Sequence, residues 1–380
     1  MGEVVGGFGI YVHWPYCSAI CPYCDFNVRR DRGGDHGDLL DAIVADLSGQ
    51  ANRIGTRGAR SLFIGGGTPS LLQPRDVARL IAAARAAVGL DEDAEISLEC
   101  NPEDRARFAD FHAAGVTRFS LGLQALRAPG LLLLGRRHSV REGLEAVERA
   151  AATGARVSID LIYGRDGQST EDWRGELSEA LALGIEHLSL YQLTIEAGTP
   201  FARAVARGRM HALDAERGAD LYALTQELCE AAGFPGYEIS NHARHDAAQS
   251  RHNLVYWRSG DWIGVGPGAH GRITLDGGRT ATCAYADPQA FARAVAERGV
   301  GWERTEALDQ AAIAAELALM GLRLREGVDR RRWAALSGGP NAAQLAQLIA
   351  DGFVIATEDA IRLTPAGRPL ADRIAAALLA

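Results

Sequence analysis

Three cysteines near the start of the chain could hold a metal centre. Cys17, Cys21 and Cys24 follow a Cys-x3-Cys-x2-Cys spacing within CSAICPYCDF, and thiolates are soft ligands that suit zinc and iron–sulfur clusters. A closed site needs a fourth ligand, but Phe26 stands where another cysteine would extend the pattern. Three interpretations stay open: structural zinc completed by His13, a ferredoxin-type cluster lacking its nearby fourth thiolate, or a cluster with one iron left open for a small molecule.

Composition limits the setting of this site. The chain has 380 residues, of which 47% are apolar and 23% charged, and a net charge of −8. These values are typical of a globular protein and argue against a general nucleic-acid binder. The sequence shows no secretion signal and no long uncharged apolar run, so we expect a cytoplasmic protein. In that compartment, six cysteines argue against a disulfide scaffold.

The elements that must position the cysteines alternate between strands and helices in the first half of the chain. This alternation predicts right-handed βαβ units and a parallel sheet, and without a Rossmann glycine fingerprint it favours a six-stranded α/β barrel or partial barrel over a doubly wound sheet. Strands are predicted at 9–14, 60–66, 95–100, 118–124, 156–164 and 187–194. Helices are predicted at 36–54, 75–88, 103–114, 139–153, 169–183 and 214–232.

Unusual residues fall at the carboxyl ends of these strands, where barrel enzymes place their functional groups. Asp160 is the most telling, because a carboxylate in a buried strand needs a partner or a function. The others in such positions are Cys17, the segment GGGTPS (65–70), Glu99, Gln124 and Gln192.

The second half of the chain changes character. Residues 252–271 predict a loop rich in Asn, Trp and Gly. A smaller, winged-helix-like α+β domain follows, with no basic stripe for nucleic acid, so we expect it to cap the barrel. Its helices are predicted at 306–322, 328–336 and 341–351, with a hairpin at 353–364 and a final helix. The expected domains are a barrel (1–245), a connecting segment (246–304) and the C-terminal domain (305–380).

The Cys-x3-Cys-x2-Cys spacing in the loop after the first strand resembles the radical S-adenosylmethionine (SAM) superfamily. Within it, several stretches together resemble the oxygen-independent coproporphyrinogen oxidase family, among them YVHWPYCSAICPYCDFN, SLFIGGGTPSLL, LECNPE and LSLYQLTIEAGTPF. The resemblance implies a partial (β/α)6 barrel of TIM type. It also implies that Cys17, Cys21 and Cys24 hold a [4Fe-4S] cluster whose fourth iron binds SAM, which is the third of the interpretations above.

Two departures separate the chain from the oxidase itself. Phe26 replaces the oxidase's fourth cysteine, and the sequence begins directly at the first strand, without the oxidase's N-terminal extension. Both match the haem-chaperone branch, HemW. That branch implies haem binding, delivery to haem-requiring proteins such as respiratory enzymes at the inner membrane face, an electron donor, and membrane contact through partners alone. The alternative is the oxidase, which decarboxylates coproporphyrinogen III with a 5′-deoxyadenosyl radical.

The resemblance also implies roles for individual residues. The haem-binding motif His-Asn-x-x-Tyr-Trp stands here as His252, Asn253, Tyr256 and Trp257. Imidazole is a common haem ligand, and the aromatic rings offer flat apolar area, so we expect His252 to ligate the haem iron. His270 is a second candidate. The residues that the resemblance places against SAM are Tyr11, Tyr23, Gly66, Gly67, Thr68, Glu99, Gln124, Arg136 and Asp160.

Overall fold

A computed structural model describes residues 6–275 and 277–380 of the chain. The expectation that the chain carries no secretion signal rests on residues 1–7 and the apolar run that follows them, and residues 1–5 of that stretch lie outside this range. The strands are β1 (Phe8–Trp14), β2 (Tyr16–Cys17), β3 (Arg29–Arg30), β4 (Ala59–Gly66), β5 (Leu90–Cys100), β6 (Arg118–Gln124), β7 (Arg156–Tyr163), β8 (His187–Gln192), β9 (Asn241–Ala243), β10 (Asp261–Val265), β11 (His270–Leu275), β12 (Gly278–Ala284), β13 (Trp302–Leu308), β14 (Val328–Asp329), β15 (Val354–Ala356) and β16 (Ala360–Leu363).

Helices connect most of these strands. They are α1 (Gly37–Ile54), α2 (Pro74–Ala87), α3 (Phe108–Ala113), α4 (Ala128–Leu133), α5 (Val140–Ala151), α6 (Thr170–Leu181), α7 (Pro200–Ala206), α8 (Ala215–Ala231), α9 (Arg251–Trp257), α10 (Pro288–Arg298), α11 (Gln310–Gly321), α12 (Arg330–Ser337), α13 (Ala342–Ala350) and α14 (Ala371–Leu379). In the part of the chain that the structure describes, no helix is long and apolar enough to span a membrane.

The predicted parallel sheet is confirmed. Strands β1, β4, β5, β6, β7 and β8 pair in that order, and every pair is parallel. All six line one interior chamber, which shows that the sheet curves into the expected partial barrel. The sheet stays open, because β9 continues it antiparallel beyond β8 and β10 to β13 continue it beyond β1.

Successive side chains of a strand point to opposite faces of the sheet, so one face of each barrel strand packs in the core and the other faces the barrel interior. Along β6, Phe119, Leu121 and Leu123 are fully buried in the main hydrophobic core. Ser120 and Gly122, between them, line the cluster of polar residues at the barrel interior. The sequence therefore places small and polar groups inside the barrel while its apolar groups pack beneath the surrounding helices.

The predicted loop at 252–271 is wrong. Ser250 caps α9 by accepting a hydrogen bond from the backbone N–H of Asn253, and β10 pairs parallel with β1 over five residues. This tertiary pairing overrides the Gly- and Asn-rich composition. The boundaries elsewhere differ less: residues 302–308 form β13, so the helix predicted from 306 begins at Gln310, and the helix predicted from 103 opens with a 3-10 turn at Pro102–Arg107.

The C-terminal domain has the predicted α+β character. Strands β14, β16 and β15 form a separate antiparallel sheet, packed with α11 to α14 around the fully buried Trp333. Ion pairs link this domain to the barrel side: Arg258 with Glu326 at 2.8 Å, and Arg272 with Glu316 at 2.7 Å.

Candidate cluster and SAM site

A cavity of about 440 Å³ lies at the carboxyl ends of the barrel strands, within the size range of ligand pockets. It brings together most of the residues that the sequence singled out. Its lining includes Cys17, Cys21, Tyr23, Cys24, Gly66, Gly67, Thr68, Glu99, Gln124, Arg136 and Asp160. Tyr11 is the exception among the expected SAM contacts, because it lies behind this cavity.

The three cysteine thiols are free and face this cavity. The backbone N–H of Cys24 donates to the carbonyl of Cys21 at 3.2 Å, which holds the loop in a turn. The Arg136 guanidinium lies 3.6 Å from Cys21 Sγ, where it balances the negative charge that thiolates bring. Burial raises the pKa of Cys17 to about 11, so a metal that binds there must displace a proton.

The structure argues against structural zinc. His13 Nδ1 lies 2.9 Å from the Tyr11 hydroxyl, and Nε2 lies 2.9 Å from the Asn27 carbonyl, so neither ring nitrogen faces the thiols. Among the described residues, no three His, Cys, Asp or Glu side chains are placed to hold one metal ion. Thiols spread around a cavity suit instead a cluster, in which each thiolate binds a different iron.

The Gly66–Gly67 turn passes directly under the cysteine loop. Gly66 has a φ of 113°, and a Cβ there would lie 2.7 Å from the His13 ring. A Cβ on Gly67 would lie 2.5 Å from the Tyr16 carbonyl and 3.0 Å from Cys17 Sγ. Both positions therefore require glycine: Gly66 because of its positive φ and the His13 ring, and Gly67 because its backbone closely approaches the Tyr16 carbonyl and the Cys17 thiol.

Two carboxyl groups form the polar floor of the cavity. Glu99 accepts a hydrogen bond from the Gly66 N–H at 2.9 Å, and burial raises its pKa to about 8. Asp160 accepts from the Ser120 hydroxyl at 3.2 Å, and burial raises its pKa as well. Carboxyl groups of this kind can hold hydroxyl or ammonium donors of a ligand.

Arg136 and Gln124 are held at the side of the cavity. Arg136 donates to Asn101 Oδ1 at 2.7 Å and to the Gly122 carbonyl at 2.8 Å. A bulge between Gly122 and Gln124 gives Gln124 a φ of 65°, which is unusual for a residue with a side chain. Sequence reasoning missed Asn101 and Tyr191, which also line the cavity, although both stand near the ends of predicted strands.

A smaller chamber of about 190 Å³ lies behind this cavity and shares Glu99, Ser120, Asp160 and Tyr191 with it. Its own lining includes Tyr11, Phe63, Arg118, His252, Asn253 and Tyr256. Three of the four residues in the expected haem motif therefore reach the barrel interior.

His252 is fully engaged in this chamber. Its Nδ1 lies 2.9 Å from the Ser61 hydroxyl and its Nε2 lies 2.6 Å from the Tyr256 hydroxyl. The residue is 1% exposed, and burial lowers its pKa to about 3. Ligation of haem iron by His252 therefore requires a rearrangement that frees a ring nitrogen.

The fourth residue of the motif and the second candidate ligand lie elsewhere. Trp257 packs against the C-terminal domain, where the Arg323 guanidinium stands 4.6 Å from its ring centroid. His270 is exposed on β11, with its Nε2 3.7 Å from Cys283 Sγ. The structure thus does not bring the two histidines and Trp257 to one site.

Comparisons with known proteins extend over nearly the whole chain. The family model of the radical SAM superfamily matches residues 11–180, and that of the HemN C-terminal domain matches residues 308–370. The heme chaperone HemW of Mycobacterium tuberculosis is 38% identical over 98% of this chain and 95% of its own length. HemW of Escherichia coli K12 is 36% identical over 94% of each chain.

Two further similarities agree with these. The mitochondrial radical S-adenosyl methionine domain-containing protein 1 of Danio rerio is 37% identical over 97% of this chain and 86% of its own. Among solved structures, the coproporphyrinogen III oxidase HemN of Escherichia coli, a radical SAM enzyme, superposes with a TM-score of 0.81 over 99% of this chain and 90% of its own. At 24% identity, this likeness shows the fold.

Proposed function

Because the chain belongs to the HemW branch of the radical SAM superfamily, we propose that it binds haem and passes it to haem-requiring proteins, respiratory enzymes among them. The observation that carries this proposal is the extent of the similarity. Relatives named heme chaperone HemW match 94% to 98% of the chain at 31% to 38% identity. We place the protein in the cytoplasm, reaching membrane-bound recipients through protein contacts.

The proposal includes a [4Fe-4S] cluster held by Cys17, Cys21 and Cys24. The fit is supported by three soft donors around one cavity, with Arg136 beside them to balance charge. When bound, such a cluster with one open iron supplies single electrons, drawn from a donor protein, and a coordination position for the amino and carboxylate groups of SAM.

The chain's own residues would hold SAM around that position. Gly66 and Gly67 line the cavity, and the close approach of Gly67 to the Cys17 thiol leaves backbone polar groups within reach of the methionyl end. Glu99 and Asp160 can accept from ribose hydroxyls, and Tyr23 and Thr68 complete the walls. Tyr11 does not face the cavity. Its hydroxyl is hydrogen-bonded to His13, so its role would be to position the residues beneath the cavity.

The alternative activity, oxidative decarboxylation of coproporphyrinogen III, has no observation in its favour beyond the shared fold. Phe26 stands where the oxidase pattern has a cysteine, and its side chain is 65% exposed at the cavity. An apolar group there cannot replace a thiolate as a ligand.

The proposal is tested by titrating the anaerobically reconstituted full-length chain with haemin, followed by transfer to an apo-haem protein. We expect a saturable absorbance change near one haem per chain, and recovery of the acceptor's spectrum. Absence of saturable binding would contradict the chaperone function. Conversion of coproporphyrinogen III to protoporphyrinogen IX in the presence of SAM and a reductant would favour the oxidase instead.

A further inference from the structure

A second large cleft lies between the barrel and the C-terminal domain, outside the cysteine cavity. Its volume is about 480 Å³. Tyr163, Leu190 and Tyr222 form its barrel wall, and residues 368–373 form the opposite wall. Gln192 lines both this cleft and the cysteine cavity, so the two are neighbours.

Three guanidinium groups line the cleft, in a chain whose net charge is −8. Arg323 Nη2 donates to Glu238 Oε2 at 3.2 Å, while its buried Nε has no hydrogen-bond partner among the residues that the structure describes. Arg368 donates through Nη2 to the Glu238 carbonyl and through Nε to the Tyr222 hydroxyl. Arg373 is exposed, and no ion pair of Arg373 occurs among the described residues.

The neighbouring carboxylates do not cancel this charge. Glu238 is fully buried and accepts hydrogen bonds from the Ser240 N–H and the Asn241 amide as well as from Arg323. Its charge is therefore shared among several donors of the protein. Within the described part of the chain, Asp372 is the one carboxylate that lines the cleft directly. Three guanidiniums against these two carboxylates leave a positive excess, and guanidinium groups bind carboxylates in a paired geometry.

The rest of the cleft wall is largely apolar. Leu190, Ile239 and Leu370 line it together with Pro369, and Leu370 exposes 37% of its surface there. An apolar wall with cationic groups at its rim suits a flat apolar ligand that carries carboxylates at one edge.

The haem motif is connected to this cleft through Trp257. The Trp257 ring supports the Arg323 guanidinium at 4.6 Å, and Arg323 lines the cleft. Among the lining residues are no His, Cys or Met, but tyrosine also ligates haem iron. Tyr163 stacks on Trp173 in the core, which leaves the Tyr222 hydroxyl, 3.3 Å from Arg368 Nε, as the group able to face an iron.

We infer that this cleft is the tetrapyrrole site, with Arg323, Arg368 and Arg373 binding the propionate carboxylates and the Tyr222 hydroxyl facing the iron. The inference rests on the proposed function, because it takes haem as the ligand. It places haem beside the cluster cavity, not on His252.

The test compares protoporphyrin IX with its dimethyl ester, which lacks the two negative charges, by fluorescence titration of the full-length chain. We expect the diacid to bind more tightly than the ester. Arg373→Glu should weaken diacid binding by at least about fivefold, the worth of a partly exposed ion pair whose charge is reversed, and leave ester binding unchanged. Arg368→Gln also alters the contact between the domains, so it is measured only on protein shown to be folded. It should likewise weaken diacid binding.

The matched control is Arg362→Glu, which reverses an exposed arginine of the same domain that lies outside the cleft. It should bind the diacid as the unmodified chain does. With haemin, Tyr222→Phe should shift the Soret band while protoporphyrin IX affinity stays constant. Equal diacid and ester affinities, or unchanged binding by Arg373→Glu while haemin still binds, would overturn the cleft assignment alone. Failure of the unmodified chain to bind haemin would instead remove the proposed function.

Discussion

The hydroxyl of Tyr256 lies 2.6 Å from Nε2 of His252, one turn earlier on α9. The other ring nitrogen of His252 lies 2.9 Å from the Ser61 hydroxyl on β4, and the His252 N–H donates to Glu95 on β5 at 3.2 Å. Two residues of the haem motif thus fasten its helix to the barrel interior. Their role in this structure is to position α9, and with it Trp257 at the helix end.

Tyr256→Phe removes the hydroxyl and leaves His252 Nε2 buried without a partner. We expect the free energy of unfolding to fall by about 1–3 kcal/mol, the cost of one unsatisfied buried group, measured by denaturant unfolding. The Soret spectrum of the folded variant with haemin should equal that of the unmodified chain, because neither side chain faces the iron in our assignment.

The control for that change is Tyr285→Phe, since the Tyr285 hydroxyl makes no hydrogen bond among the described residues; its stability should stay the same. A changed axial-ligand spectrum in Tyr256→Phe would show that haem binding frees His252 from the chamber. That result would identify His252, and not Tyr222, as the ligand of the haem iron.

The cysteine loop gives a prediction on metal content. Replacing Cys17, Cys21 or Cys24 singly with alanine should abolish most of the iron and sulfide that the anaerobically reconstituted chain retains, because each thiolate would hold a different iron of the proposed cluster. Cys283→Ala, half-buried on β12 outside the cavity, serves as the control and should keep full iron content. Stoichiometric zinc, or full iron in any of the three variants, would contradict the cluster assignment.

The barrel, and the gathering of the three cysteines at the carboxyl ends of its strands, were predictable from local pattern. β6 occupies 118–124 as predicted, and Asp160 lies late in β7 and lines the cavity, at the end of the strands where functional groups were expected. These features depend on the two-residue period of a strand and on the order of elements, which a single segment of sequence displays.

What sequence reasoning missed depends on pairing between distant segments. The Asn- and Gly-rich stretch after residue 252 forms α9 and β10, because the edge of β1 is available for β10 to pair with. The local sequence gives no sign of that distant strand edge. His252 beside aromatic residues suggested an iron ligand, but its partner Ser61 lies 191 positions earlier. The arginine-lined cleft likewise arises only when the C-terminal domain packs on the barrel.

Asp46 gives a prediction on pH. This α1 carboxylate is fully buried and accepts hydrogen bonds from the Gly301 N–H at 2.8 Å and the Gln50 amide at 3.0 Å. Burial nevertheless raises its pKa to about 6. The folded-state pKa of Asp46 thus exceeds its unfolded value of about 4. Protonation of Asp46 therefore adds to the free energy of unfolding in full below pH ~4, and this contribution is lost as pH rises through about 6.

For two pKa units, this loss amounts to about 3 kcal/mol. Between pH 4 and 7, the free energy of unfolding of the unmodified chain should therefore fall relative to that of Asp46→Asn, as measured by urea unfolding at each pH. Parallel pH profiles for the two proteins would show that the hydrogen bonds keep Asp46 ionised in the folded state.

The contact between Trp257 and Arg323 joins the haem motif to the proposed tetrapyrrole cleft, and it predicts an indirect effect on binding. Trp257→Ala should weaken protoporphyrin IX affinity by about two- to thirtyfold, because a cation–π contact is worth about 0.5–2 kcal/mol and its loss releases Arg323. Trp257→Phe, which keeps a ring, should recover part of the affinity.

The matched control is Trp302→Ala, which removes a similar contact with Arg53 at 5.4 Å, remote from the cleft. If Trp257 acts through Arg323, adding Trp257→Ala to Arg323→Ala should cost nothing further, whereas additive losses would mean that Trp257 contacts the ligand itself.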